Sequence, residues 1–282
     1  MTGRAPRVRI AGRQARRGGR IRRASAGLSP ARAGAGLAVV LCVGALYGLI
    51  ASPAFGMDTV RVEGARFTAA ADVEARLGLA RAANLFALAT EPLEDAVAGL
   101  PTVARAEVVV ALPDTLVVRL TERVPIVVWR AGPRRYLADV EGRLFAQVAT
   151  DDPLATGFPV IEDRRDGSDT LVVGRSLDPV DLDAARRLAS LTPAQVGSRA
   201  AALEVAVTDE HGFVVAAPDI GWSAVFGFYT PSLRTTDLIP GQVRLLRSFL
   251  AGRETTVERV VLASDTEGTF TPRASPTPSA EP

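Results

Sequence analysis

The sequence predicts an α+β protein in which a single transmembrane helix precedes two folded domains. Three observations lead to this prediction. Residues 33–57 contain no charged side chain. Residues 57–124 show strand and helix periodicities in the order β-α-α-β-β. Residues 125–265 contain many short apolar runs separated by turns, with two helical segments among them, which is typical of a mostly antiparallel β-domain with flanking helices.

The uncharged run is long enough to cross a bilayer. Its 25 residues would reach about 37 Å as a helix, against about 30 Å of hydrocarbon. Ten arginines and no acid precede it, whereas the other 23 basic residues and all 31 acids follow it. The charge is therefore +10 before the run and −8 after it, which predicts a cytoplasmic N-terminus and extracytoplasmic C-terminal domains. We assign residues 1–32 to a disordered basic leader and residues 33–56 to the transmembrane helix.

A cleaved signal peptide is the alternative, because Ser52-Pro53-Ala54 offers small residues to a peptidase. The leader of 32 residues is long for a signal, the apolar run exceeds the usual ~7–15 residues, and Pro53 crowds the cleavage site. We therefore favour a retained anchor. Gly44 and Gly48 have a spacing that suits packing against another membrane helix, although glycine is also common in helices that span alone.

Composition argues against most catalytic chemistry. The chain has no lysine, which a P-loop or a Schiff-base enzyme requires. Cys42, the only cysteine, lies in the apolar run, so the exported part has no intrachain disulfide. His211 is the only histidine and lies in a predicted turn, so a closed zinc site cannot form. A carboxylate-only hydrolase is the remaining enzyme class, but the acids of 151–152 and 163–169 lie in predicted loops. We expect no catalytic, metal or cofactor-binding residues and no cofactor.

The high isoelectric point, about 9.2, does not indicate a nucleic-acid partner. The leader carries the basic excess, and the exported part is acidic. A basic juxtamembrane segment suits contact with anionic lipid. We therefore expect membrane lipid, and no nucleic acid, among the binding partners.

Residues 57–124 are predicted to form the first domain. Its first strand includes Val60–Val62, and a helix follows with Thr68 as N-cap and Gly78 at its end. A second helix has Thr90 as N-cap. Two strands then flank Pro113-Asp114. The helical stripes and one sheet face can bury each other in two layers.

Residues 125–265 are predicted to form the second domain. It begins with short strands around the turns at Gly132-Pro133 and Glu141-Gly142. One helix opens at Asp178-Pro179, and another contains Pro240 near its start. The last predicted strand is 256–264. The proline-rich residues 266–282 are predicted to be a disordered tail.

Several segments, taken in order, resemble the FtsQ/DivIB family of bacterial cell-division proteins. The resemblance covers about residues 32–264. Its strongest portion runs from Leu100-Pro101 to Glu122-Arg123-Val124-Pro125. Asp139-Val140-Glu141-Gly142 and Phe226-Gly227 support it.

The resemblance implies that residues 57–124 form a POTRA domain and residues 125–265 the β-domain of that family. It also implies a non-enzymatic scaffold of the divisome, held in the plasma membrane at the division septum. Such a scaffold binds an FtsB/DivIC-like and an FtsL-like protein, and other divisome components, before septal peptidoglycan synthesis. The alternative is a POTRA-bearing envelope protein of secretion or outer-membrane assembly, but such proteins usually carry repeated POTRA units or a large barrel.

In the family, the main partner contact uses the exposed edge near the end of the β-domain, and the resemblance maps this edge to the strand 256–264 and the residues just after it. A last strand without a sequential successor is expected at a sheet edge, where its unpaired backbone groups can accept a partner strand. Many relatives continue this strand with an aspartate and an arginine, whereas this chain has Leu262-Ala263-Ser264. Its side chains should alternate between the two faces. The candidate partner-binding residues are Val257, Glu258, Arg259, Val260, Val261, Leu262, Ala263 and Ser264.

Overall fold

The computed structural model of the chain describes residues 30–52, 55–233 and 238–274. The chain separates into two compact units, Met1–Ala51 and Ser52–Pro282. Residues 1–29 of the predicted leader and residues 275–282 of the predicted tail lie outside the described residues.

The first unit contains the helix α1, Pro30–Ala51. At about 1.5 Å per residue its 22 residues rise about 33 Å, enough to cross about 30 Å of hydrocarbon. Pro30–Leu49 has the length and composition of a membrane span, and none of its most apolar window is buried within the protein. The predicted limits of 33 and 56 are shifted, because Pro30 suits the first turn of a helix. Pro53 disfavours helical geometry at Ser52, so the helix ends at Ala51.

The first folded domain has the predicted order β-α-α-β-β. Its central strand is β3, which pairs in parallel with β1 and antiparallel with β2. Apolar side chains from both helices and from the sheet form one core. The elements are β1 (Thr59–Glu63), α2 (Ala70–Leu77), α3 (Glu91–Ala98), β2 (Val103–Ala111) and β3 (Thr115–Glu122).

The start of α2 is held by a long-range contact and not by the predicted cap. The N-cap position is Ala69, and no side chain caps the helix. The Thr68 hydroxyl instead makes a hydrogen bond of 2.7 Å with that of Thr102. The Glu122 carboxylate accepts the backbone N–H groups of residues 66–68 at 2.8 to 3.0 Å. A residue at the end of β3 therefore fixes the approach to the first helix of the domain.

The second domain is a nine-stranded sheet flanked by helices. Its strand order is β12-β11-β10-β9-β8-β7-β4-β5-β6. The elements are β4 (Val127–Ala131), β5 (Arg134–Ala138), β6 (Leu144–Val148), β7 (Val160–Asp163), α4 (Pro179–Ala189), α5 (Pro193–Val196), β8 (Glu204–Thr208), β9 (Gly212–Ala217), β10 (Trp222–Gly227), α6 (Leu238–Leu250), β11 (Val257–Leu262) and β12 (Gly268–Pro272).

Most neighbouring strands of this sheet are antiparallel, as predicted. The parallel pairs are β4–β7, β7–β8 and β10–β11. Parallel neighbours need a crossover connection. The segment with α4 and α5 links β7 to β8, and the segment with α6 links β10 to β11. These helices pack on one face of the sheet and bury the larger of its two cores.

Two buried tryptophans in that core have satisfied indole groups. The Trp129 Nε1 group donates to Asp163 Oδ2 at 3.0 Å. The Trp222 Nε1 group donates to Glu254 Oε1 at 3.1 Å. Both acids are themselves buried. A buried carboxylate that accepts such bonds is satisfied. These contacts therefore fix the end of β7, which carries Asp163, and the segment just before β11, which carries Glu254.

Strand β12 contradicts the prediction that residues 266–282 are disordered. Its residues Thr269 and Thr271 are β-branched and flank Phe270, a composition that favours a strand. The prolines of this region begin only at Pro272, where the strand ends. The proline-rich composition that led to the prediction of disorder therefore belongs to the residues from Pro272 onward.

Candidate partner-binding edge

Strand β11 lies inside the sheet and is not its edge. On one side it pairs in parallel with β10, where Val260 faces Ala224. On the other side it pairs antiparallel with β12, where Val260 faces Phe270. The prediction that the strand 256–264 forms the sheet edge is therefore wrong, because residues just after it turn back as β12 and supply its outer neighbour. The edge strand is β12.

A bulge breaks the predicted alternation along β11. Val257 faces Pro272, but Arg259 faces Thr271, so Glu258 is the extra residue. A bulge of this kind shifts the faces of the residues that follow. Val257 is buried together with Val260 and Leu262, whereas Glu258, Arg259 and Val261 are exposed.

Ser264 forms the turn into the edge strand. Its hydroxyl oxygen accepts the N–H groups of Thr266 at 3.2 Å and Glu267 at 2.9 Å. Its own N–H donates to the Glu267 carbonyl at 3.1 Å. Ala263 precedes the turn and is exposed. Of the eight predicted partner-binding residues, Ala263 and Ser264 therefore lie outside the paired strands β11 and β12.

The outer edge of β12 is open in the part of the chain that the structure describes. No backbone hydrogen bond among residues 30–52, 55–233 and 238–274 joins this strand to a segment other than β11. Thr269, Phe270 and Thr271 are all exposed. Such an edge presents unpaired N–H and C=O groups to any strand that approaches it.

An aromatic contact lies beside this edge. The Phe270 ring packs against the Phe249 ring of α6, with centroids 5.8 Å apart. The Arg253 guanidinium carbon lies 5.2 Å from the centroid of the Phe270 ring. Phe270 nevertheless remains 40% exposed. Gly268 allows this packing, since a Cβ there would lie 3.1 Å from the Phe249 ring and 2.9 Å from the Val261 carbonyl.

Two buried polar side chains hold β11 in place. The Gln242 amide donates to the carbonyls of Phe226 at 3.0 Å and Leu262 at 3.3 Å, and its oxygen accepts from the Tyr229 hydroxyl at 2.9 Å. Burial raises the pKa of that hydroxyl, which therefore stays a donor. The Glu254 carboxylate, just before β11, accepts the Arg199 N–H at 3.1 Å.

The far end of β12 is also fixed. The Arg273 N–H donates to the Thr256 carbonyl at 2.7 Å. Its guanidinium donates to the carbonyls of Ile220 at 2.9 Å and Gly221 at 2.7 Å. The edge strand is therefore held at both ends, while its middle remains accessible.

The other described sheet edges differ from β12. The β2 edge is partly closed, because the Val108 N–H donates to the Glu94 carboxylate at 2.9 Å. The β6 edge is partly covered by residues 174–176, because Gly174 and Arg175 bond the backbone of Leu144 and Ser176 forms a β-bridge with Arg143. Strand β1 is also an edge, but its apolar Val60 and Val62 are partly buried. Only β12, among these four, places an exposed aromatic ring next to its open ladder.

Residues 30–52, 55–233 and 238–274 hold no group of three or more His, Cys, Asp or Glu side chains able to bind a metal. His211 lies in a turn, as predicted, where its backbone N–H donates to the Thr208 hydroxyl at 3.1 Å.

Comparison with known proteins supports the family assignment. Residues 55–123 match the model of the FtsQ-type POTRA domain. Three relatives are each named cell division protein FtsQ. That of Chloroflexus aurantiacus is 28% identical over 246 residues, 86% of this chain and 80% of the relative. That of Chloroflexus aggregans is 32% identical over 184 residues, 62% of each chain. That of Caulobacter vibrioides is 32% identical over 128 residues, 45% of this chain and 38% of the relative.

Proposed function

We propose that this chain, a member of the FtsQ family, acts in cell division as a single-pass membrane scaffold that captures partner proteins on the edge of β12. The partners in this proposal are an FtsB/DivIC-like and an FtsL-like protein, together with other components of the divisome. The chain is held in the membrane by its helix and recruits these partners by backbone pairing with β12. In this proposal it performs no catalysis. The observation that carries the proposal is the open, exposed edge of β12.

Strand addition suits this edge for physical reasons. Backbone hydrogen bonds give affinity without demanding a particular partner sequence, and side chains on alternate residues supply specificity. Phe270 lies on one face with Phe249, and Thr269 and Thr271 lie on the other. Arg259 of β11 faces Thr271 across the ladder. Of the residues predicted from the sequence, we propose Arg259 and Val261 as partner contacts and the rest of 257–264 as their support.

The proposed location is the plasma membrane at the division septum, with the N-terminus in the cytoplasm. Support for the orientation comes from charge, because ten arginines and no acid precede the apolar helix. Fluorescence of a tagged copy in dividing cells tests the location. A midcell band is expected, whereas a diffuse envelope signal would favour a role in secretion or outer-membrane assembly.

Proline substitution tests the proposed edge. Val260 is unsuitable, because it lies in the inner strand and its loss would break the core. Successive N–H groups of a strand point to opposite sides, so of Thr269→Pro and Phe270→Pro one must remove a donor on the outer edge. The measurement is co-purification of the full chain with the FtsB/FtsL-type pair.

Capture should fail for at least one of these two variants and persist for Ala274→Pro, which lies beyond the strand. Near-ultraviolet circular dichroism of the buried Trp129 and Trp222 reports whether each variant has folded. Wild-type capture by both folded variants would show that the edge of β12 is not the site.

A further inference from the structure

A groove between α4, α5 and α6 combines an apolar floor with a basic rim. Its volume is about 460 Å³. Leu191, Ile239 and Val243 line the floor, and Arg187, Arg244 and Arg247 line the rim. This groove lies among the helices, whereas the edge of β12 belongs to the sheet. Binding here would therefore be separate from strand addition.

The rim carries positive charge that the described residues leave largely uncompensated. Arg187 donates to Asp183 at 3.0 Å. Among residues 30–52, 55–233 and 238–274, no side chain forms an ion pair with Arg244 or Arg247, and no acid of these same residues lines the groove. The stem of Arg247 passes close over Gly197, where a Cβ would lie 3.0 Å from its Cγ. Glycine at that position therefore lets the arginine lie along the groove.

We propose that this groove binds an acidic amphipathic helix of a partner protein. Charge complementarity selects an anionic occupant. The apolar floor requires that the same occupant also has an apolar face, which a free inorganic anion lacks. Along α6, Ile239, Val243 and Arg247 recur every fourth residue and cover about 12 Å, or two helical turns. A groove of that length accepts apolar anchors at i and i+4 of a docked helix.

The occupant is a different chain and not a second copy of this one. Helices α2 and α3 carry acidic residues, but their apolar residues are buried in the core of the first domain. Helix α4 also buries its apolar residues, in the core of the second domain. Helix α1 has no acid. The described helices of this chain therefore offer no acidic surface with a free apolar stripe.

A designed peptide tests the groove directly. The probe is a fluorescent acidic peptide of about 14 residues, four helical turns, with leucine on one face and glutamate on the other. Its control has the same residues in an order that gives no apolar face. Binding is measured by anisotropy to the full chain in phosphatidylcholine nanodiscs, with empty nanodiscs as a blank.

We expect the amphipathic peptide to bind at least about tenfold more tightly than the permuted one. The double variant Arg244→Glu/Arg247→Glu should weaken binding by about tenfold or more, and raising the salt should weaken wild-type binding. The matched control is Arg81→Glu/Arg105→Glu, which makes the same charge change on exposed residues of the first domain. It should leave binding unchanged.

Three results would overturn the proposal. Equal binding of the permuted peptide would show that only charge is recognised. Wild-type binding by the Arg244→Glu/Arg247→Glu variant would place the peptide elsewhere. Displacement of the peptide by inorganic phosphate, but not by sodium chloride of equal ionic strength, would indicate a site for small anions. The proline variants of β12 should bind the amphipathic peptide as the wild type does. The peptide assay therefore tests the groove independently of the β12 edge, which is tested by co-purification.

Discussion

Phe67 of the first domain meets Phe145 of the second edge to face, with ring centroids 5.3 Å apart and ring planes at 77°. Phe145 is fully buried, in a small core that also contains Val128 and Leu137. These residues lie on the sheet face opposite the helices. The first domain therefore covers part of the sheet that the helices leave bare, and the two domains share a core.

Phe67→Ala should loosen this junction. Truncation removes the edge-to-face contact and part of the apolar burial, at a cost of about 1 to 3 kcal/mol. We expect faster hydrogen exchange in β6 and residues 66–68, with little change in β8 to β10. The comparison variant is Phe86→Ala, a phenylalanine of the same domain that is 46% exposed and packs edge to face against Phe55. Equal exchange in both variants would mean that Phe67 does not join the domains.

Arg123 should stabilise the same junction electrostatically. Its guanidinium binds the buried Asp139 carboxylate and lies 3.1 Å from Glu141. Burial opposes its charge, but the hydrogen bonds to both acids outweigh burial and raise the pKa of Arg123. Arg123→Ala leaves Asp139 buried without its partner and should cost about 2 to 4 kcal/mol in urea unfolding. Adding Asp139→Asn should recover part of that loss, whereas an additive double mutant would indicate that the two residues are not coupled.

Glu122 should be sensitive even to an isosteric change. Its carboxylate accepts three consecutive backbone N–H groups, of residues 66–68. Glu122→Gln replaces one acceptor oxygen by an NH₂ group that faces donors, and should destabilise the first domain by about 1 to 3 kcal/mol. Glu107→Gln, on the same sheet with an exposed side chain, should change stability little. Equal unfolding midpoints for both variants would contradict this role.

Glu162 should stabilise the folded protein near neutral pH, and its protonation should be one cause of the loss of stability in acid. Burial acts to raise its pKa, but hydrogen bonds from Arg164 and Arg130 prevail and lower it below the ordinary value of 4.5. The folded state thus binds its proton less readily than the unfolded state does. The stabilisation is present above the ordinary pKa and is lost as the pH falls through the lower, folded value. Glu162→Gln should flatten the dependence of the urea midpoint on pH in that acidic range, and an unchanged slope would exclude this contribution.

Local patterns were sufficient to predict much of this fold. The β-α-α-β-β order followed from the strand and helix periodicities of residues 57–124. The apolar residues Val73 and Leu77 of α2 and Val97 of α3 are buried in one core with the strands. The start of α2 was less predictable, because Glu122 reaches it from 54 residues away. No signal near Thr68 shows that the carboxylate, and not the threonine, satisfies these N–H groups.

Two features of the candidate partner-binding edge could not be predicted from sequence periodicity. The bulge at Glu258 changes which residues of β11 are buried, and strict alternation cannot show it. The position of β12 involves packing of Phe270 against Phe249, and the prolines from Pro272 onward had led to the prediction that all of 266–282 is disordered. The Thr-Phe-Thr run of residues 269–271 was the available signal for a strand, and it correctly marks the edge.

Gly241→Ala tests whether α6 sets the position of that edge. A Cβ on Gly241 would overlap the Asp265 side chain in the turn between β11 and β12, and would lie 3.2 Å from its Cα. In an unobstructed helix the change would stabilise by about 1 kcal/mol. Here overpacking should cost about 1 to 3 kcal/mol and displace the turn. Hydrogen exchange in residues 266–272 should accelerate and partner capture should weaken. Ser248→Ala, exposed on the same helix, should do neither, and a stabilised Gly241→Ala protein with unchanged capture would show that this contact does not position β12.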